Sequence, residues 1–173
     1  MEQKRQDSGI IVPLLKLGLF TLLVPGSVTV WVPRWFYLST FRLTSVELSG
    51  ATIGGGVLIA LGVIGYFWCA LDFAFQGRGT PAPIDPPKVL VVRGLYRFIR
   101  NPMYASVLFV LLGESLLFQS WRLVRYTAVC LIFAQLFVLF YEEPVLHHKF
   151  GASYEEYCRT VPRWFPRRRA RRP

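Results

Sequence analysis

Long apolar runs separated by short polar stretches set the plan of this chain. The first run, Ile10 to Val32, is interrupted by Lys16 and Pro25. A helix through it rises about 34 Å, enough to cross the hydrocarbon core of a bilayer. Lys16 lies near one end and can snorkel to the headgroups. The polar residues 1–9, with Lys4 and Arg5, resemble the start of a signal peptide. The run behind them is long, contains a lysine and lacks an A-x-A-like cleavage site, so it reads as a spanning helix instead. The second run lies within Ala51–Phe75, the third covers Pro102–Phe118 and the fourth Trp121–Tyr141. Little more than Gln119-Ser120 parts the last two, which predicts a tight antiparallel hairpin.

The polar stretches fill in the rest. Pro33 to Gly50 reads as a connector whose Trp35, Phe36 and Tyr37, with Trp31, suit the membrane interface. Gln76 to Pro87 is crowded with prolines and reads as a non-helical linker. Asp72 is placed at the interface near Arg78. Beyond Pro144, V-L-H-H-K-F-G predicts a short helix ending at Gly151. Ser153 and Glu156 match a capping box for another helix through Arg159, with Tyr154, Tyr157 and Val161 on its apolar side. The predicted fold class is all-α: a polytopic membrane bundle of about four transmembrane helices, with a cytoplasmic loop and short C-terminal helices. It forms one structural domain, with two helices from residues 1–76 and the remainder from 77–173.

Composition agrees. The 173 residues favour a single domain and 53% are apolar, with a mean hydropathy of +0.40. The net charge of +10 would suit nucleic acid in a soluble protein. Among apolar runs it points to anionic lipid headgroups, above all at the basic tail R-R-R-A-R-R, and not to nucleic acid. Cys69, Cys130 and Cys158 form no C-x-x-C pair, so neither a disulfide framework nor a zinc site is expected. His147 and His148 are neighbours that cannot both face one ion from a helix, and no metal is expected. Charge also orients the chain. With an even number of spans, one side carries Lys4, Arg5, five basic residues from Arg78 to Arg100 and eight from Lys149 onward. The other carries Arg34, Arg42, Arg122 and Arg125. The positive-inside rule therefore places the 76–101 loop and both termini in the cytoplasm.

Candidate chemistry gathers at that side. Lys88 to Tyr104 is basic, aromatic-bearing and ends in Asn101-Pro102, where Asn can cap free N–H groups and Pro needs none. The fourth run closes in Glu142-Glu143, of which one carboxylate is expected to face the interior. Gln135 and Glu142, seven apart, share a face. Within the third run, Glu114 is costly in a membrane unless paired. It lies as far from the Gln119-Ser120 turn as Arg125 does, so an ion pair across the hairpin is expected. Gly50 and Gly54 form G-x-x-x-G, a pattern for close helix packing and not for phosphate.

Five pieces in this order carry a resemblance: V-L-V-x-x-G-L-Y at 89–96, R-N-P-M-Y at 100–104, E-E at 142–143, F-G-x-x-Y-x-x-Y at 150–157 and V-P-R at 161–163. The second half of the chain resembles the isoprenylcysteine carboxyl methyltransferase and phospholipid methyltransferase families. The resemblance implies an integral-membrane enzyme that transfers a methyl group from S-adenosylmethionine to a lipophilic acceptor, a carboxylate or a lipid amine. It implies cofactor contacts at Lys88, Val89, Leu90, Val91, Tyr96, Asn101, Pro102, Met103, Tyr104 and Glu142. Glu142 is then the central catalytic candidate, and Arg100 or Arg163 would orient an anionic substrate. Asn101 stands where the prenylcysteine enzymes have His, which removes a titrating group. Val138 stands where they place a substrate-binding Arg. Two other readings fit the hydropathy pattern: a sterol-type membrane reductase using a nicotinamide cofactor, and a non-catalytic membrane protein that anchors partners.

Overall fold

A computed structural model describes residues 15–38, 49–77 and 89–166. All regular structure among them is helical. Among the described residues, three helices are long and apolar enough to cross a membrane. They are α1 (Leu15–Trp35), α2 (Gly50–Asp72, prolonged to Phe75) and the continuous run Trp121–Phe150. A shorter apolar helix, α3 (Pro102–Leu117), lies between the last two. The long run divides into α4 (Trp121–Phe137), a π turn at Val138–Glu142 and α5 (Glu143–Phe150). A final helix, α6 (Ala152–Thr160), precedes an irregular strap through Pro166. Lys88, most of the proline-rich linker with Arg78, the residues before Leu15, Arg42 and the tail from Arg167 lie outside the described residues.

The prolines do not stop the helices as expected. Helix α1 continues through Pro33 to Leu38, so the start of the expected connector is helical. The fourth run likewise continues through Pro144 into α5. In both, a π turn ends two residues before the proline, at Trp31 and at Glu142. Its wider hydrogen bonding, Val32 N–H to Ser27 O and Glu143 N–H to Val138 O, accommodates a ring that cannot donate. A third π turn, Phe73–Gly77, carries α2 past the expected start of the linker at Gln76.

Helices α2 and α3 run antiparallel with their backbones in contact. A Cβ on Gly55 would stand 2.7 Å from the Gly113 carbonyl oxygen, and one on Gly113 2.6 Å from that of Gly55. One helical repeat along, a Cβ on Gly62 would stand 2.6 Å from the Ser106 carbonyl oxygen. The packing face is therefore Gly55–Gly62, not the expected Gly50–Gly54, whose added Cβ atoms would meet nothing within 4 Å. In a run reading G-G-G, the partner helix decides which glycine is inside. Helix α1 is tied on through Thr21 Oγ1 to the Tyr66 hydroxyl at 2.8 Å, and through the Tyr126 hydroxyl, which donates to the Val28 carbonyl at 3.0 Å.

The α3–α4 turn is a Schellman motif. Ser120 N–H bonds the Ser115 carbonyl, Gln119 N–H bonds that of Leu116, and Gln119 takes φ +47°. Glycine is the low-cost residue there, so Gln119→Gly is expected to stabilise the fold by about 1 kcal/mol. Reversible unfolding in detergent checks this, and a loss of stability would contradict it. The expected Glu114–Arg125 pair does not form. The hairpin seam is set by Ser115 and Thr127, whose hydroxyls lie 3.3 Å apart. Glu114 and Arg125 sit one and two residues off that seam, about 100° and 200° around their helices. Arg125 is exposed, and Glu114 Oε2 has no hydrogen-bond partner among the described residues.

Candidate active site

The loop before α3 is anchored from beneath. Gly94 takes φ +55° to begin a short 3-10 turn, Gly94–Arg97. The Asp72 carboxylate and the Trp68 indole pack so close to it that no Cβ fits without displacing them. Asp72 is thus set under the loop. The turn aims Tyr96 inward, where it packs with Cys69 and Val91 and meets the Phe73 ring edge-on at 5.5 Å. The Tyr157 hydroxyl donates to the Tyr96 carbonyl at 2.8 Å, tying α6 to the same turn. Burial pushes both phenols above their ordinary range, so both remain protonated donors near neutral pH.

Helix α3 starts at Pro102 as expected, but Asn101 does not cap it through its side chain. Its Nδ2 instead lies 3.4 Å from the Arg163 carbonyl oxygen, which also accepts from the Asn101 backbone N–H. One turn into α3, the Tyr104 hydroxyl donates to Glu142 Oε2 at 2.7 Å. The expectation that only one of the paired carboxylates faces inward fails. Glu142 meets α3, while Glu143 takes Arg163 in a two-point contact, at 2.8 and 2.7 Å, and Arg100 at 3.0 Å. Partners approach from two directions, so both acids are half-buried. Gln135 accepts from Trp164 Nε1 at 2.6 Å, extending the polar stripe of the long helix to the strap. The Arg163 guanidinium is held in its charged form by the hydrogen bonds to Glu143.

Arg100, Asn101, Tyr104, Glu142 and Glu143 form the polar end of a cavity of about 560 Å³, a volume typical of small-molecule sites. Its other end lies between membrane helices and is lined by Val24 and Val28 of α1, Val107 and Leu108 of α3, and Cys130 and Phe133 of α4. Of the residues singled out in sequence, Val91, Tyr96, Arg100, Asn101, Met103, Tyr104 and Glu142 line it together. Leu90 instead packs against Tyr154, Tyr157 and Val161, Val89 is exposed, and Pro102 is buried at the start of α3. Arg163 stands behind the wall on Glu143. The linking role of Glu143, the bond from Tyr157 and the wall given by α1 were missed. The repeated tyrosines at 154 and 157 were a signal for the second, but nothing in the first apolar run marks a cavity wall.

The expected capping box at Ser153 is absent, since α6 begins at Ala152 behind Gly151, with no side-chain cap. Gly151 has φ +50° and turns the chain between α5 and α6. The two helices are joined across it by His147 Nε2 and Glu155 Oε1 at 2.9 Å.

No solved structure matches the chain. The family model described as phospholipid methyltransferase matches residues 51–153, which takes in α2, the loop, the hairpin with its Glu142-Glu143 pair and the start of α6. That range holds most of the polar end of the cavity on a bundle of membrane helices, and the chain belongs to the phospholipid methyltransferase family of membrane methyltransferases.

Proposed function

We propose that the polar end of this cavity binds S-adenosylmethionine and that its apolar length receives the lipophilic part of a methyl acceptor. The observation that carries the reading is Glu142. Its half-buried carboxylate, accepting from Tyr104, stands where one continuous cavity passes from polar groups to membrane-facing side chains. The residues suit the cofactor chemically. Glu142 offers an acceptor for an ammonium or hydroxyl group, and Tyr96 and Tyr104 offer ring surface to a sulfonium cation. Arg100 Nε is buried and lacks an acceptor among the described residues, as expected of a donor kept for an anionic oxygen. Val91, Asn101 and Met103 complete the cofactor wall. Leu90 and Pro102 support it, and Val89 flanks it.

S-adenosylmethionine supplies an electrophilic methyl group on a sulfonium sulfur. The chain's own contribution is to hold two partners of opposite solubility in line and keep water from between them. The acceptor class is a carboxylate or a lipid amine whose apolar portion lies among Val24, Val28, Val107 and Phe133. The positive-inside rule supports a cytoplasmic side for the basic loop and for the segments before α1 and after α6, and the charge of the basic tail suits anionic headgroups. Calorimetric titration of the detergent-purified protein with S-adenosylmethionine tests the reading. Micromolar binding is the expected result. No binding by protein that remains folded and monodisperse would refute it, and a nicotinamide cofactor would be titrated next.

A further inference from the structure

We propose that Glu143 is a positioning residue for the cofactor site, acting by latching the C-terminal strap onto the loop that opens α3. The inference rests on reading the cavity as an S-adenosylmethionine site. It starts from one carboxylate that serves two guanidiniums. Glu143 Oε1 and Oε2 accept from Arg163 Nε and Nη2, and Oε1 also lies 3.0 Å from Arg100 Nη1. The Glu143 side chain is only 18% exposed and that of Arg100 14%. A planar fork on a carboxylate fixes orientation as well as distance. Removing the carboxylate's charge would leave two half-buried cations facing each other, so the strap could not stay where it is.

The strap is also joined to the loop through its backbone. Pro162 O accepts from Arg100 N–H at 2.9 Å, and Arg163 O from Asn101 N–H at 3.3 Å. Arg100 and Asn101 are cavity-wall residues. Their positions therefore depend on a segment some sixty residues away in sequence (|i−j| is 62 for Asn101 and Arg163). Trp164 fastens the far end of the strap to Gln135 of α4. Arg163 and the strap lie beyond the residues matched by the family model, so the latch is read from this chain's own contacts. Tyr104 and Glu142 bind each other without it. Its loss should therefore loosen the Arg100–Asn101 wall and spare the chemistry of a complex once formed.

The test compares wild type, Glu143→Gln, Arg163→Lys and the charge exchange Glu143→Arg with Arg163→Glu, in detergent, each confirmed folded by circular dichroism and size exclusion. Hydrogen exchange of the Ile99–Asn101 backbone is measured without ligand, and S-adenosylmethionine affinity and turnover are measured beside it. In Glu143→Gln the Arg100 and Asn101 amides are expected to exchange at least about tenfold faster. Affinity should fall at least about tenfold, with turnover at saturating cofactor within about threefold of wild type. Arg163→Lys keeps the charge, loses the fork and should fall between. Recovery of slow exchange in the charge exchange would support the latch. Unchanged exchange in Glu143→Gln overturns it, whatever the wild type binds. Faster exchange with unchanged affinity overturns the positioning role. Failure of wild type to bind overturns the cofactor reading separately.

Discussion

Glu142→Ala is expected to abolish S-adenosylmethionine binding and methyl transfer while the protein stays folded in detergent. Glu142 lies at the polar end of the cavity, and its Oε2 accepts the Tyr104 hydroxyl at 2.7 Å. A hydrogen bond to a charged group contributes about 1.5–3 kcal/mol, and truncation also strands the Tyr104 donor. Together these correspond to a loss in affinity of about 100-fold or more. Glu142→Gln separates the two effects, because it still accepts from Tyr104 but carries no charge. It should bind with intermediate affinity. Tyr104→Phe removes the donor alone and should cost less than either. Calorimetry across the three variants checks the order. Wild-type affinity in Glu142→Ala would remove this residue from the site.

A larger structural effect is expected from Gly113→Leu. Its Cβ would stand 2.6 Å from the Gly55 carbonyl oxygen and 2.8 Å from the Ile59 amide nitrogen. These are backbone atoms of an intact helix, so relief requires moving α2 away from α3 as a body. Overpacking with rotamer changes alone costs about 1–3 kcal/mol, and separating two backbones should exceed that. The variant should fail to give a monodisperse protein, or should melt well below wild type. Gly54→Leu is the control, since nothing lies within 4 Å of its added Cβ. Equal behaviour of the two variants in thermal unfolding would contradict the packing described for Gly55 and Gly113.

The helices were legible in sequence because hydropathy dictates them. Pro102 marked the start of α3, and Gln119-Ser120 marked the hairpin. What could not be read was rotation about each helix axis and everything supplied from far along the chain. Gly50 and Gly54 looked like a packing pair, but α3 selected Gly55. Glu114 and Arg125 were symmetric about the turn and still out of phase. Asn101 had the composition of a cap, yet its side chain meets a carbonyl 62 residues away. The Glu142-Glu143 pair marked the site. Its division of labour depends on Tyr104, Arg100 and Arg163, which three separate elements deliver. Motif order located much of the polar end of the cavity, whereas the wall from α1 has no sequence signal because apolar lining and lipid-facing surface have the same composition.

The unequal lengths of α3 and the long helix give the site a mechanical setting. Helix α3 has 16 residues, about 24 Å of rise, against about 30 Å of hydrocarbon in an average bilayer. The run Trp121–Phe150 has 30 residues, about 45 Å of rise. A thicker membrane must thin around the short helix or draw it toward one leaflet, while the long one can meet the same change by tilting. The Tyr104–Glu142 bond joins these two helices, one turn from the start of the first and in the last third of the second. Acyl-chain length in the surrounding lipid is therefore expected to shear the polar end of the cavity, which would make hydrophobic mismatch a physical variable of this site.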